Sequence, residues 1–238
     1  MTAEKKRSLL SDEELEWSDV AANCRMNRER EITGTNSYTA DLKLNPLEFL
    51  TEKIQTGQTV RWLDLCCGSG RALIQAYEHF QQAGLSTQVQ IRGIDLVNLF
   101  LPAPDAGNAL RLQTASLHDW DTDERFDLIT CVHGLHYVGD KLSLLARAAG
   151  WLSSEGQFLA HLDLENLQTV EGTWTTADKR EFLRRRFFQY HLRTHLVTCA
   201  GQQDIRFPCR YAGASDQAGP NFTGQPAVNS FYQLRETV

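Results

Sequence analysis

Two carboxylates and three histidines stand where this sequence could do chemistry together. Asp64 follows the short apolar run Val60-Arg61-Trp62-Leu63 and precedes the small-residue loop Cys66-Cys67-Gly68-Ser69-Gly70. Glycines there let a backbone take positive φ and approach a ligand closely. Asp95 closes a second apolar run, Val89–Asp95, and His133, His136 and His161 lie at the ends of two later ones. A strand, a glycine loop and a helix start at Arg71 together make a nucleotide-binding turn. A dinucleotide fingerprint, G-x-G-x-x-G, would put a third glycine where Leu73 stands. An anion beside Asp64 would be repelled, whereas a cationic ammonium would be attracted. The ligand expected here is a nucleoside with a cationic end, and histidine is the side chain suited to moving a proton near it.

The elements that must position these groups alternate. Buried-strand patterns at Val60–Leu63, Val89–Asp95, Leu110–Thr114, Phe126–Val132 and Gln157–Leu162 are separated by helical patterns at Arg71–Ala76 and Asp140–Ala148. Leu152–Gly156 reads as a turn. That order predicts a doubly wound α/β sheet. Ahead of it, Ser11 with Glu14 three residues on predicts a capping box opening a helix that runs in pieces towards Glu31. Asn45-Pro46 starts another helix, which Gly57 ends. After Asp163, Thr176 to about Arg193 predicts a basic helix containing Arg184, Arg185 and Arg186. A solvated face over an aromatic contact accounts for those charges more simply than an anion site. His195–Cys199 and Ile205–Tyr211 predict strands joined as a hairpin, Gly213–Gly224 an irregular loop, and Pro226–Tyr232 a last strand.

The run DLCCGSG, with FDLI followed by LHY after the fourth strand, resembles the class I S-adenosylmethionine-dependent methyltransferases. The resemblance covers roughly residues 58 to 165. It implies a Rossmann-like, doubly wound, seven-stranded, mostly parallel sheet with helices on both faces and an N-terminal helical cap. Residues 1–57 would form that cap or lid, and 58–238 the core with a C-terminal loop on the substrate side. Asp64 and the backbone at Cys66, Gly68 and Gly70 would hold the methionine end, with Val132 and His133 beside it. Asp95 and Leu96 would hold the ribose, and Ser116 and Leu117 the adenine. The flanking stretches look like those of a bacterial subgroup of unassigned substrate, and in this fold they commonly close over the acceptor. Arg30, Asn36, Tyr38, His161, Tyr211 and Asn221 are the candidate acceptor contacts, with His136 and Tyr38 the candidate catalytic groups. The implied reaction moves a methyl group from S-adenosyl-L-methionine to an oxygen or nitrogen of a small metabolite, or of a peptide such as its terminal carboxylate, leaving S-adenosyl-L-homocysteine. Natural product biosynthesis is the expected setting.

Composition narrows the partners. A formal net charge of −6 over 238 residues gives no general attraction for nucleic acid phosphates. Cys131-Val132-His133-Gly134 replaces the D/N/S-P-P-Y/F run of adenine and glutamine methylating enzymes. The six cysteines show no C-x-x-C, so neither a metal nor a disulfide framework is expected. Met1–Asp19 has no apolar core of a signal peptide and no run is long enough to span a membrane. A cytoplasmic monomer or homodimer is expected. A regulatory module that binds the cofactor without activity remains open, as does, more weakly, a dinucleotide oxidoreductase.

Overall fold

The computed structural model describes residues 9–22 and 30–235; Cys24 and the Asn27–Glu29 stretch lie outside them. In chain order the helices are α1 (Asp12–Glu16), α2 (Asp19–Ala22), α3 (Tyr38–Leu42), α4 (Pro46–Gln55), α5 (Arg71–Gln82), α6 (Lys141–Gly150) and α7 (Thr176–Arg184). The strands are β1 (Val60–Leu65), β2 (Val89–Asp95), β3 (Leu110–Thr114), β4 (Phe126–Cys131), β5 (Leu152–His161), β6 (Leu167–Thr169), β7 (Gln189–His191), β8 (Leu196–Ala200), β9 (Cys209–Ser215) and β10 (Asn229–Leu234). Seven of them form one sheet in the order β3-β2-β1-β4-β5-β8-β7. All neighbours pair in parallel except across β8, which is antiparallel to both β5 and β7. The expected seven-stranded sheet with one antiparallel strand is therefore present.

The centre of the sheet is buried on both faces, and successive residues of a strand feed opposite cores. On β1, Leu63 and Leu65 join Ile129, Phe158 and Leu145 on one side, while Val60 and Trp62 join Leu50, Leu73 and Phe80 on the other. That period of two explains why the strand reads as a continuous apolar run. Local signals set the helix starts. Ser11 and Glu14 make the reciprocal capping box, Asn45 caps α4 with Pro46 in its first turn, and Asp140 caps α6.

Several expected boundaries differ. The basic helix ends at Arg184, because Phe187 turns left-handed (φ 65°) and Phe188 drops into the core. The chain then forms β7, so β8 pairs with β7 and not with the 205–211 segment. Pro208 has no N–H to give a ladder, and β9 begins just after it. β9 runs on to Ser215 inside the expected loop, beside β10, which starts at Asn229 rather than Pro226. These two and β6 make a second, three-stranded sheet. Leu152–Gly156 is not a turn but the first half of β5, with Leu152 paired to Phe126.

A buried lysine fastens the second sheet to the first. Lys141 has no exposure, and its Nζ donates to the Val138 and Val228 carbonyls, each at 2.8 Å, and to Ser230 Oγ at 2.9 Å. Lys141→Met keeps the stem and removes every donor. We expect it to destabilise the protein by about 2–3 kcal/mol, because stranded buried acceptors cost about 1–3 kcal/mol each. For a chain of this size that is a fall of roughly 5–10 °C in the thermal midpoint; an unchanged midpoint in a melting scan would contradict the clamp.

Candidate functional site

The strand order reverses between β1 and β4, and a cleft opens there at the carboxyl ends of the strands. Its floor is the loop after β1, where Cys66 and Gly68 both have positive φ (58° and 61°). Cys66 holds a backbone conformation that favours glycine. Gly70 caps α5 without a side-chain hydrogen bond. One wall is Asp95-Leu96-Val97 after β2. The Asp95 carboxylate accepts from Gly68 N at 2.8 Å and Val97 N at 3.1 Å, so it braces the glycine loop from across the cleft. No helix follows Asp95, which therefore caps none.

Leu117 lies on the cleft wall, whereas Ser116 turns to bond Glu16 and accepts from His118 N at 3.0 Å. Arg147 fixes this stretch from below, donating to the carbonyls of Leu117 and Trp120. Helix α1 forms the roof, with Asp12, Leu15 and Glu16 facing the cleft. It is tied down by Tyr211 Oη to Asp12 Oδ1 at 2.9 Å and by the His118–Asp12 ion pair at 2.8 Å. Tyr211 thus sits over the cleft and not with Asn221 in a shared acceptor wall. Sequence reasoning missed Asp12, Glu16 and Arg147, since nothing in a capped five-residue helix signals what lies beneath it.

Asp64 lies behind the loop and not on the cleft wall. It has no exposure; Tyr38 Oη donates to its Oδ2 at 2.7 Å and Thr130 to its Oδ1. Trp62 Nε1 donates to Thr130 Oγ1 at 2.9 Å and completes the chain. Burial pushes the Asp64 carboxyl up to about 7, against the pull of the two hydroxyl donors. Tyr38 is 1 % exposed, and burial beside Asp64 drives its phenol well above the usual range. Its hydroxyl is committed to Asp64, so the structure gives Tyr38 a bracing position instead of an open catalytic one. Val132 is likewise buried in the core.

A second polar cluster adjoins the cleft through the turn after β4. Gly134 packs on Cys66, and Tyr137 lines the cleft. His133, His136 and His161 are 4 %, 0 % and 3 % exposed. The rings of His133 and His161 stack at 4.1 Å and 3°, and Phe222 lies between His136 (5.2 Å) and His195 (4.0 Å). Burial lowers the pKa of all three, that of His161 to about 3. Both ring nitrogens of His133 and of His136, and Nδ1 of His161, have no hydrogen-bond partner among the described residues. Asp41 Oδ2 is 3.8 Å from His133 Nε2. Arg30 pairs with Asp41 and donates to Asn36 Oδ1 at 3.0 Å. Against its own burial, His133 and Arg30 hold the Asp41 carboxyl below the usual range. Asn221 is close by in the chain to Phe222; its Oδ1 accepts from Thr223 N at 2.7 Å, and its Nδ2 is buried without a partner among the described residues. The structure thus gathers Arg30, His133 and His161, with Asn36 joined through Arg30 and His136 through the His133 ring, around Asp41, a residue the sequence did not single out. Its signal was its place one helical turn after Tyr38. Among the described residues no helix is long and apolar enough to cross a membrane.

A family model described as "Methyltransferase domain" matches residues 27–201. None of the curated proteins matches the chain. Similar solved structures include an amino pentose methyltransferase from Micromonospora echinaspora involved in calicheamicin biosynthesis, at 19 % identity and a TM-score of 0.36, covering 48 % of each chain. The plantazolicin methyltransferase BpumL is similar at 18 % identity and a TM-score of 0.38, over 48 % of this chain and 43 % of that one. Coclaurine N-methyltransferase is similar at 15 % identity and a TM-score of 0.36, over 54 % and 38 %. The chain spans half or less of the length of these relatives.

Proposed function

Because this chain belongs to the methyltransferase domain family, we propose that it transfers a methyl group from S-adenosyl-L-methionine to an oxygen or nitrogen of a small metabolite. The observation that carries this reading is Asp95, a carboxylate at the end of β2 that faces the cleft while bracing Gly68. The cleft fits the cofactor: it opens at the switch point of the sheet beside the acidic end of β2, and Gly134 lets the loop and the turn after β4 meet with no Cβ between them. When bound, S-adenosyl-L-methionine supplies a methyl group already activated on a cationic sulfur. The chain has then to bind, align and exclude water. In this reading Asp95 accepts the ribose hydroxyls, Leu96 and Leu117 border the base, and the backbone from Cys66 to Gly70 cradles the methionine end. Asp64 acts through its charge from behind that loop. Helix α1 closes the cleft from above, and the cluster around Asp41 faces the acceptor. Residues 1–57 serve as cap and 58–238 as core.

Titration calorimetry with S-adenosyl-L-methionine, S-adenosyl-L-homocysteine and NAD tests the reading. Both sulfur compounds are expected to bind the wild type and NAD is not. Asp95→Ala is expected to weaken S-adenosyl-L-homocysteine roughly 30-fold, the scale of one or two lost hydrogen bonds to a charged group. Tight NAD binding without the other two would overturn it.

A further inference from the structure

We infer that His133 is the general base of this methyl transfer, held in register by Asp41, and that the acceptor is therefore an amine or a phenol, which enters with a proton on its nucleophile. The inference rests on the methyl-transfer reading above. A carboxylate acceptor would need no base.

The geometry separates His133 from its neighbours. Of the clustered histidines, only His133 has a carboxylate within ion-pair distance, Asp41 Oδ2 at 3.8 Å from Nε2. With Nε2–H directed at Asp41, Nδ1 is left as the basic nitrogen, and it has no partner among the described residues. Base, orienting carboxylate and a group that fixes the carboxylate form one chain here: His133, Asp41 and Arg30. The 3.8 Å gap is too long for a hydrogen bond, as is common before a ligand tightens a site. His136 lacks such a partner and faces His133, His161, His195 and Lys141, all of which oppose a positive charge on it. His161 stacks flat on His133 and limits how its ring can turn.

His133 also adjoins the cleft through its neighbour Gly134. It is the residue after Val132 at the end of β4, next to Gly134, which touches the loop residue Cys66. Its backbone is left-handed (φ 59°), a conformation that costs a non-glycine residue free energy and is concentrated at functional sites. Asp41, His133 and His161 could by number hold a divalent cation. Ring nitrogen lone pairs lie in the ring plane, however, and planes 3° apart do not converge on one ion. The Arg30 guanidinium already pairs with Asp41 as well.

In the step, the bond from the acceptor nitrogen or oxygen to the methyl carbon forms as the sulfur–methyl bond breaks. The sulfur keeps that electron pair as the neutral thioether of S-adenosyl-L-homocysteine, and the acceptor's proton goes to His133 Nδ1. Asp41 is a positioning residue whose charge stabilises the imidazolium.

The test uses the full chain, His133→Asn and Asp41→Asn. Asparagine tolerates a left-handed backbone, so His133→Asn leaves the turn intact. Calorimetry with S-adenosyl-L-homocysteine should show binding within about threefold of wild type in both variants; loss of binding by the wild type would count against the methyl-transfer reading instead. NMR of histidine-labelled protein should show a His133 signal, absent from His133→Asn, that titrates at lower pH in Asp41→Asn. Because Arg30, His136 and His161 face the same ring, it is the difference between wild type and Asp41→Asn that isolates the carboxylate. Labelled methyl transfer from S-adenosyl-L-methionine to panels of primary amines, phenols and carboxylic acids should favour amines or phenols. There kcat should fall about 100-fold in His133→Asn and about tenfold in Asp41→Asn, with KM little changed. A His133 titration indifferent to Asp41, transfer to carboxylic acids that His133→Asn leaves intact, or stoichiometric zinc or iron binding lost in both variants would each overturn the inference.

Discussion

Gly134→Ala is expected to cost roughly 1000-fold in affinity for S-adenosyl-L-methionine, about 4 kcal/mol, while the protein still folds. A Cβ at this position would lie 2.4 Å from Cys66 Cβ and 2.7 Å from its Sγ, with Cys131 Sγ at 2.8 Å behind. Neither side can yield cheaply. Cys131 is buried in β4, and Cys66 already sits at a left-handed φ of 58°. Overpacking of this kind ordinarily costs 1–3 kcal/mol of stability, but here the strain falls on the loop that cradles the ligand. Cys66→Gly added to Gly134→Ala removes the two nearer clashing atoms, leaving Cys131 Sγ, and relieves the left-handed residue, so the double variant should recover most of the binding. A double variant as weak as Gly134→Ala would show that the contact with Cys66 is not the cause.

Asp64→Asn is expected to move stability and binding in opposite directions. The folded protein holds the Asp64 proton up to about pH 7, whereas the unfolded chain loses it near 3.8. Between those values the fold binds the extra proton, so Asp64's contribution is greatest in acid, falls as the pH rises, and is constant above 7. At about 1.4 kcal/mol per pH unit, the cost at neutral pH is about 4 kcal/mol at most. Asparagine removes it, less the loss of one acceptor for Tyr38 or Thr130. The variant should therefore melt above wild type at pH 8, with the lead vanishing towards pH 4. Its affinity for S-adenosyl-L-methionine should fall more than for S-adenosyl-L-homocysteine, because only the former carries the sulfonium charge. A variant that melts lower than wild type at pH 8 would show that the hydroxyl pair outweighs the buried charge.

The sheet was legible because its central strands β1 and β4 are buried on both faces and read as apolar runs, and because capping residues mark Ser11, Asn45 and Asp140. The second half was harder to read. Arg184 to His191 keeps helical spacing, yet Phe188 finds a deeper place by leaving the helix. The short β6 and the Gly213 region carry no strand signal, since Gly213 is there for close approach. A Cβ on it would lie 2.8 Å from Leu9 Cβ and 3.0 Å from the Leu10 carbonyl. At the site, Asp95 and the glycine loop announce themselves through position after a strand. Asp41 does not. Its partners, Arg30 and His133, come from segments eleven and ninety-two positions away, and that meeting exists only in the fold.

The roof over the cleft has a kinetic consequence. Helix α1 has five residues, far below the length at which a helix is stable alone in water. It exists as a helix while docked, through Leu15 in a small core with Ala214 and Val228 and the bond from Asp12 to Tyr211. Those anchors belong to β9 and the approach to β10, the sheet that Lys141 clamps. Local unfolding of this corner, whose free energy is a fraction of the global value, would uncover the cleft. The C-terminal sheet, together with Ser116 and His118 on the opposite side of the roof, is thereby expected to govern how long an occupant stays in the cleft.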